Sequence, residues 1–432
     1  MTSQARPIGI DLFAGAGGMT LGFEQAGFDV LAAVEIDPVH CATHEYNFPD
    51  CRIFCQSVVN TTGEEIKSQL GIVDRDIDVV FGGPPCQGFS LMGKRSLEDP
   101  RNELVFHFLR LVLELKPKFF VMENVPGLTI GNHKNFLLEI IEEFKANGYQ
   151  VEENYQVLNA ANYGVPQNRS RLFLLGCRQG LSLPKYPQPI GTLKSRRRYV
   201  ILPSGIPTVW DAIADLPPVK SDDELYEKDW AIAEYSKPSN YAKNLRYPSD
   251  NPSDFSYERE FDSRLITSSL LSKHSAETIA RFDATKPGQI EKISRFYRLN
   301  PEGISNTLRA GTASNRGAFT SPRPIHPYIP RCITVREAAR LHSYPDWFRF
   351  HVTIWHGFRQ VGNSVPPLLA KAVASEIMHA LGISSVKPSD PKKLGEPELL
   401  QYNMSRSAKK YKVDPHAIEP RNRRHQKKEP IF

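Results

Sequence analysis

From Ile8 to about Gly176, short apolar runs alternate with longer stretches whose apolar residues recur every three or four positions. The runs "IGIDLF", "VLAAV", "RIFC", "DVVF", "KFFVM", "YQVL" and "RLFLLG" are strand-length, which predicts strands. Between them, "NELVFHFLRLVLELK" (Asn102 to Lys116) has the period of a helix with one apolar face. Alternation of this kind predicts an α/β fold: a Rossmann-like, mostly parallel twisted sheet with helices on both faces.

The texture changes from about Gln179 to Arg331. Pro, Ser, Asp, Tyr and Arg dominate, helical patterns are short, and "LPKYPQPIGTLKSRRRYVILPSGIP" keeps no period, which predicts a second, smaller and irregular domain. Periodicity returns at "TVREAARLHSYPDWF" and at "NSVPPLLAKAVASEIMHAL". In the latter, Ser364 is the expected N-cap, with both prolines in the first helical turn. Beyond Ile383 the chain is polar and basic, and a mobile tail is expected.

Composition narrows the class. With 40% hydrophobic and 24% charged residues the chain reads as soluble and globular. No apolar run approaches the roughly 18 residues of a membrane span. Nothing resembling a secretory signal precedes the first strand, so a cytoplasmic protein with no membrane partner is expected. Its six cysteines are too few for a disulfide framework in a chain this long and are expected to be reduced thiols. "HCATHEYNFPDC" raises the question of zinc, but its spacing matches no common finger and also fits a helix followed by a strand; no metal is expected. From Lys387 onward, twelve Lys and Arg face six Asp and Glu, so this stretch alone equals the net charge of +6. Affinity for nucleic acid in the body must then come from local clusters such as "KSRRRY" (Lys194 to Tyr199).

Candidate chemistry begins at "IDLFAGAGGMTLGFEQAG", a glycine-rich turn between the first strand and the first helix, where a nucleotide-like cofactor should bind. No Lys-Ser/Thr follows the glycines, which disfavours a phosphate-cradling loop. Gly15 and Gly17 begin a dinucleotide fingerprint, but Thr20 stands where its third glycine should be. Glu35, about 20 residues on, is placed to accept hydrogen bonds from ribose hydroxyls. A ribose without phosphate fits S-adenosylmethionine, whose sulfonium suits a site without basic residues.

"FGGPPCQGFS" puts Cys86 in a loop after a strand, with Pro84 and Pro85 stiffening the backbone before it. A buried cysteine is most often an inert small hydrophobe. Here the thiol stands at the strand end, where this fold places ligands. "FFVMENVPGL" ends the next strand on Glu123, which a parallel neighbour would bring near Cys86. "QNRSR" sets Arg169 and Arg171 two apart, on one face of a strand. Taken singly, these are an ion pair and edge charges; together they outline a reactive site.

In this order, "DLFAGAGG", "VEID", "GGPPCQGFS", "MENVPGL", "QNRSR", "TVREAARLHSYPD" and "QVGNSVPP" resemble the motifs of the DNA (cytosine-5)-methyltransferases of bacterial restriction–modification systems. The resemblance covers Ile8 to about Gly176 and Arg331 to about Leu381. It implies a catalytic and cofactor-binding domain over 1–178, a target-recognition domain over 179–330 and a return segment over 331–385 completing the first domain; composition leaves 386–432 as a basic tail. It implies Cys86 as nucleophile, Glu123 as the carboxyl engaging cytosine N3, and Arg169 and Arg171 as holders of the base and site. For S-adenosylmethionine it implies a pocket of Asp11, Leu12, Phe13, Gly15, Gly17, Gly18, Met19, Glu35, Ile36, Ser57, Val58, Pro85, Leu104, Asn363 and Ser364. Ser57 departs from the family pattern, which usually has an aspartate there for the adenine amino group.

Ser90, Lys94, Arg95 and Arg101 are candidate DNA contacts in the loop after Cys86, and "AGTASNRGAF" (Ala310 to Phe319) is a candidate groove-entering loop. The implied partner is double-stranded DNA, bound by a monomer, with a restriction endonuclease as genetic partner. Three alternatives remain at this point: an RNA (tRNA) cytosine-5 methyltransferase, a non-catalytic nucleic-acid binder, and, disfavoured by Thr20, a nicotinamide dehydrogenase.

Overall fold

The computed structural model describes residues 5–73, 75–85, 103–196, 199–201, 203, 205–217, 224–310 and 323–416. Strands β1 (Ile8–Leu12), β2 (Asp29–Glu35), β3 (Arg52–Cys55), β4 (Val79–Gly82) and β5 (Phe119–Asn124) run parallel. With β6 (Tyr149–Val151), β7 (Gln156–Asn159) and β8 (Ser170–Arg178) they form an eight-stranded sheet in the order β3-β2-β1-β4-β5-β8-β6. β8 lies antiparallel to β5, and its far edge is shared: β6 pairs with its C-terminal end and β7 with its N-terminal half. The order reverses at β1, which has β2 on one side and β4 on the other. A crevice therefore opens at the C-terminal ends of β1 and β4, where open α/β sheets bind ligands.

The apolar runs are continuous because the central strands are buried on both faces. Ile10, Val80, Phe120 and Met122 meet α4 (Glu103–Leu115) and α5 (Asn132–Ala146) through Phe108, Val112, Leu137 and Phe144. Their neighbours Val79, Phe81, Phe119 and Val121 turn to the other face and meet Phe23 of α1 (Gly18–Ala26). α2 (Pro38–Asn47) and α3 (Gly63–Leu70) flank β3 in sequence, as the segment "HCATHEYNFPDC" predicts for its helix and strand.

Among the described residues of 179–330 the elements are short: the hairpin of β9 (Lys194–Arg196) and β10 (Tyr199–Ile201), α6 (Val209–Ile213), α7 (Asn240–Arg246), the paired β11 (Ala231–Ile232) and β12 (Leu265–Ile266), and α8 (Ala276–Ala284). Much of the region's apolar core is shared. Val209, Ile213, Ile266 and Leu299 join one cluster with Leu341, Trp347 and Phe348 of the returning chain. Arg340, fully buried, pairs with both Asp215 and Asp346 across that junction. A buried guanidinium with its charge met on two sides is costly to disrupt from either side.

The chain returns through α9 (Val335–Leu341), α10 (Ile354–Asn363) and α11 (Pro367–Leu381). α11 packs along α1 and closes the second face with Val373 and Ile377. Ser364 is not its N-cap: it is the C-cap of α10, and α11 is preceded by Pro366, whose ψ of 128° lies outside the helical region. The physical reason is the proline pair. A residue before proline is driven out of the helical region, so the helix can begin no earlier than Pro367.

The expectation of a mobile tail also needs correction. A 3-10 turn at Pro397–Gln401 and α12 (Met404–Tyr411) pack on α2. The Tyr411 hydroxyl donates to Glu45 at 2.6 Å, Lys410 pairs with the same carboxylate at 2.9 Å, and Leu399 and Leu400 join Ala42 and Tyr46. A few apolar residues and paired charges hold the segment despite its polar composition; residues 417–432 lie outside the described part. Among the described residues no helix is long and apolar enough to cross a membrane.

Candidate active site

At the end of β1 the chain turns on Phe13, whose φ of 63° lies in the left-handed region. Such a conformation costs about 1 kcal/mol or more and persists only where the surroundings enforce it. It lets the glycine turn swing back under β2, so that the Gly15 N–H donates to Glu35 Oε2 at 2.8 Å. The Asp37 N–H donates to the other oxygen, also at 2.8 Å. Two backbone donors thus fix the Glu35 carboxylate at the strand end. Asp37 caps α2 by accepting from the Val39 N–H and pairs with Arg359 of α10 at 2.5 Å. One strand inward, Asp11 accepts a 2.6 Å hydrogen bond from the Thr20 hydroxyl.

The three carboxyls differ in charge state. Burial pushes Asp11 up to about 8, against the Thr20 hydrogen bond and with help from the Glu35 charge. Burial and the Asp37 charge raise Glu35 to about 7, opposed by the two backbone donors and Arg359. Burial would raise Asp37 as well, but His40 and Arg359 overcome it and hold the group at about 2.

These groups border a cavity of about 530 Å³ at the ends of β1 and β4. Of the residues expected to hold a cofactor, Asp11, Phe13, Gly15, Gly18, Met19, Glu35, Ile36, Ser57, Val58, Pro85, Leu104, Asn363 and Ser364 line it. Leu12 and Gly17 do not. Leu12 is wholly buried in the core under the sheet, and the open side of Gly17 faces the Phe48 ring. Side chains alternate along β1, so Leu12 faces the side opposite Asp11. The Ser57 hydroxyl accepts from the Val59 N–H at 3.2 Å.

Glu123 and Arg171 line the same cavity at its other end. Glu123, next to last in β5, stands opposite Phe173 of the antiparallel β8, which brings Arg171 alongside. Arg171 Nε donates to Glu123 Oε1 at 2.7 Å. The second oxygen fills the space that Gly83 leaves open: a Cβ on Gly83 would stand 2.6 Å from Glu123 Oε2. Asn124 donates from Nδ2 to the Pro84 carbonyl at 3.0 Å, pinning the turn that follows β4. Burial pushes the Glu123 carboxyl above the ordinary range, and the Arg171 and Arg169 charges offset this only in part.

Arg169 weighs on that charge but does not line the cavity. Its guanidinium is buried and donates to the carbonyls of Leu308, Gly362 and Ser364. The two-residue spacing from Arg171 does not carry it to the cavity, because β8 begins only at Ser170. Cys86, Ser90, Lys94, Arg95 and Arg101 lie outside the described residues, as do Arg197 and Arg198 of the basic cluster and positions 311–319 of the candidate loop. Among the described residues no group of three or more His, Cys, Asp or Glu could hold a metal ion.

Sequence reasoning missed Asp37, Asn124, Arg359 and Gln360, all of which border the cavity. Asp37 and Asn124 adjoin residues that were singled out. Arg359 and Gln360 directly precede or begin the "QVGNS" motif, yet only the fold sets Arg359 against Asp37.

Residues 9–379 match the family described as C-5 cytosine-specific DNA methylase. The type II methyltransferase M.XorII of Xanthomonas oryzae pv. oryzae is 58% identical over 420 residues, 97% of this chain and 96% of that one. M.DdeI of Desulfomicrobium norvegicum is 33% identical over 393 residues, 85% and 88% of the two chains. Among solved structures, a prophage-encoded E. coli protein assigned as a DNA modification methyltransferase is 34% identical, with a TM-score of 0.68 over 87% of this chain and 99% of that one. The S. pombe Dnmt2 methyltransferase, 16% identical with a TM-score of 0.52, shares the fold. The chain belongs to the C-5 cytosine-specific DNA methylase family and is a DNA (cytosine-5)-methyltransferase.

Proposed function

We propose that the protein methylates carbon-5 of a flipped cytosine in a short sequence of double-stranded DNA, through a covalent bond between Cys86 and carbon-6. It takes the methyl group from S-adenosylmethionine and serves as the protective enzyme of a type II restriction–modification system, acting as a monomer beside a cognate endonuclease. The observation that carries this reading is a single cavity, with carboxyl groups on apolar walls at one end and the Glu123–Arg171 pair beside the Gly83–Pro85 turn at the other.

The residues present fit S-adenosylmethionine. Glu35 keeps lone pairs for ribose hydroxyls once Gly15 and Asp37 have fixed it. Phe13 and Ile36 offer apolar surface, and the acidic groups suit a cation. Bound there, the cofactor supplies an electrophilic methyl group on a sulfonium.

Carbon-5 of cytosine is a weak nucleophile. Addition of the Cys86 thiolate to carbon-6 breaks the ring's aromaticity and makes carbon-5 enamine-like. Electron density then grows at N3, where a protonated Glu123 donates a hydrogen bond and its proton. Burial favours that protonated form, and Arg171 orients the carboxyl and stabilises charge at cytosine O2. Once carbon-5 carries the methyl group, removal of its proton, departure of the Cys86 thiolate and return of the N3 proton to Glu123 restore the ring and the acid. Because these atoms are stacked within a duplex, the base must be extruded to reach the cavity.

The test uses DNA containing 5-fluorocytosine, which cannot lose a carbon-5 proton. The wild-type chain should form a stable protein–DNA adduct with it, whereas Cys86→Ser should form none and transfer no methyl group while retaining cofactor. Turnover by Cys86→Ser would refute the covalent route.

A further inference from the structure

Arg169 was expected at the reacting base, yet its side chain is 1% exposed and its terminal nitrogens serve carbonyls from two distant stretches of chain. Nη1 donates to Leu308 at 2.8 Å, and Nη2 donates to Gly362 at 2.9 Å and to Ser364 at 2.8 Å. Gly362 and Ser364 end α10, whose last turn borders the cofactor end of the cavity. The final carbonyls of a helix have no partner within it and carry partial negative charge, so a guanidinium there caps the helix.

The same guanidinium holds Leu308, two residues before Ala310, where the candidate target-reading loop begins. That segment crosses the end of α10 at unusually short range. A Cβ on Gly362 would stand 2.3 Å from both the Arg309 carbonyl carbon and the Ala310 nitrogen, which no substituted residue could tolerate without backbone movement. Gln167 reinforces the junction. Its Oε1 accepts from the Leu308 N–H at 3.1 Å, and its Nε2 donates to the Leu341 carbonyl at 3.2 Å. Thr307 donates to the Asn168 carbonyl, and His342 Nε2 lies 3.1 Å from the Ser364 carbonyl that Arg169 already holds.

We infer that Arg169 is a positioning residue: it seats the 305–310 segment against the cofactor wall, so that reading the DNA target and holding the cofactor depend on one shared junction. Arg169 neither contacts the reacting cytosine nor takes part in proton transfer. Loss of its donors frees both the root of the recognition loop and the end of α10, so binding of both ligands suffers while the chemical step, set by Cys86, Glu123 and Arg171, proceeds once both are bound. Lysine keeps the charge but reaches fewer carbonyls.

The experiment compares wild type, Arg169→Met and Arg169→Lys on unmethylated amplified DNA of mixed sequence with tritiated S-adenosylmethionine. Arg169→Met should raise KM for DNA about tenfold or more and weaken cofactor binding about threefold or more, with the single-turnover rate at saturation within about threefold of wild type. Arg169→Lys should fall between the two. A rate at saturation reduced about 100-fold or more with both affinities intact would make Arg169 catalytic and overturn the inference. So would a folded variant whose only change is a lower Tm. If Arg169→Met does not fold, Gln167→Leu carries the test, with the same division between binding and rate expected. The inference rests on the methyl-transfer reading for its rate measurement alone. Absence of transfer by the wild type would refute that reading, while the DNA and cofactor affinities of the variants would still decide the inference.

Discussion

The two ends of the cavity use the same chemical group under different control. At the β1–β2 end three carboxyls crowd together with Arg359 as the cation that offsets them, and the Glu35 charge is fixed mainly by backbone N–H donors. At the β4–β5–β8 end one carboxyl stands against Arg171, near Arg169, in a space shaped by Gly83. Both Glu35 and Glu123 are raised by burial, but their tasks diverge. In the proposed mechanism Glu35 serves as an acceptor and must ionise, whereas Glu123 serves as a donor and must stay protonated. Residue type alone therefore does not assign the role; the neighbouring donors and the ligand each carboxyl faces do.

The comparison predicts that mutations at the two ends separate into rate and affinity effects. Glu123→Gln should have the largest effect, lowering kcat about 100-fold or more with cofactor affinity unchanged, because general acid catalysis contributes at least that much. The pH profile gives a second check. Wild-type kcat should fall as pH rises through the raised Glu123 pKa, because the donor proton is lost, and this limb should vanish in the Gln variant. An unchanged rate would remove Glu123 from the chemistry.

Gly83→Ala comes next. The added methyl drives the carboxyl off its position against Arg171, and kcat should drop about tenfold or more, since small misplacements in a reacting site are expensive. Crystallography of the variant should show Glu123 Oε2 displaced.

At the other end, Glu35→Gln should weaken cofactor binding about tenfold, the cost of about 1.5 kcal/mol when a charge-assisted hydrogen bond becomes neutral. Its kcat at saturating cofactor should barely move. In the wild type, cofactor affinity should decline as pH falls through about 7, where Glu35 gains its proton and stops accepting from both hydroxyls. Calorimetric titration across that range reads the midpoint. The smallest effect is a shift of that midpoint. Arg359→Gln removes the cation that favours the ionised form, so Glu35 should titrate at higher pH, and a midpoint that stays put would uncouple the Asp37–Arg359 pair from the pocket.

Legibility followed the physics of each element. "DVVF" and "KFFVM" read as strands because both faces of the sheet are covered, and "NELVFHFLRLVLELK" read as a helix because only one of its faces is. β6 escaped notice because three residues, "YQV", carry too little period to detect. An N-cap at Ser364 starts α11 two residues early, because capping by Ser364 and the restriction imposed by the proline pair compete, and the prolines prevail. Residues 384–416 looked mobile because their few apolar positions make sense only against the surface of α2.

Motif order alone determined the family and set Glu35 and Glu123 at strand ends, because strand ends, glycine turns and proline stiffness are local properties. Tertiary structure decided which neighbours each polar group meets. It withdrew Leu12 and Gly17 from the cavity wall, brought Arg359 to Asp37 across 322 positions of sequence, and turned Arg169 from the base toward the carbonyls of Leu308, Gly362 and Ser364. A guanidinium can serve a substrate or a buried carbonyl equally well, and only packing determines which one lies within reach.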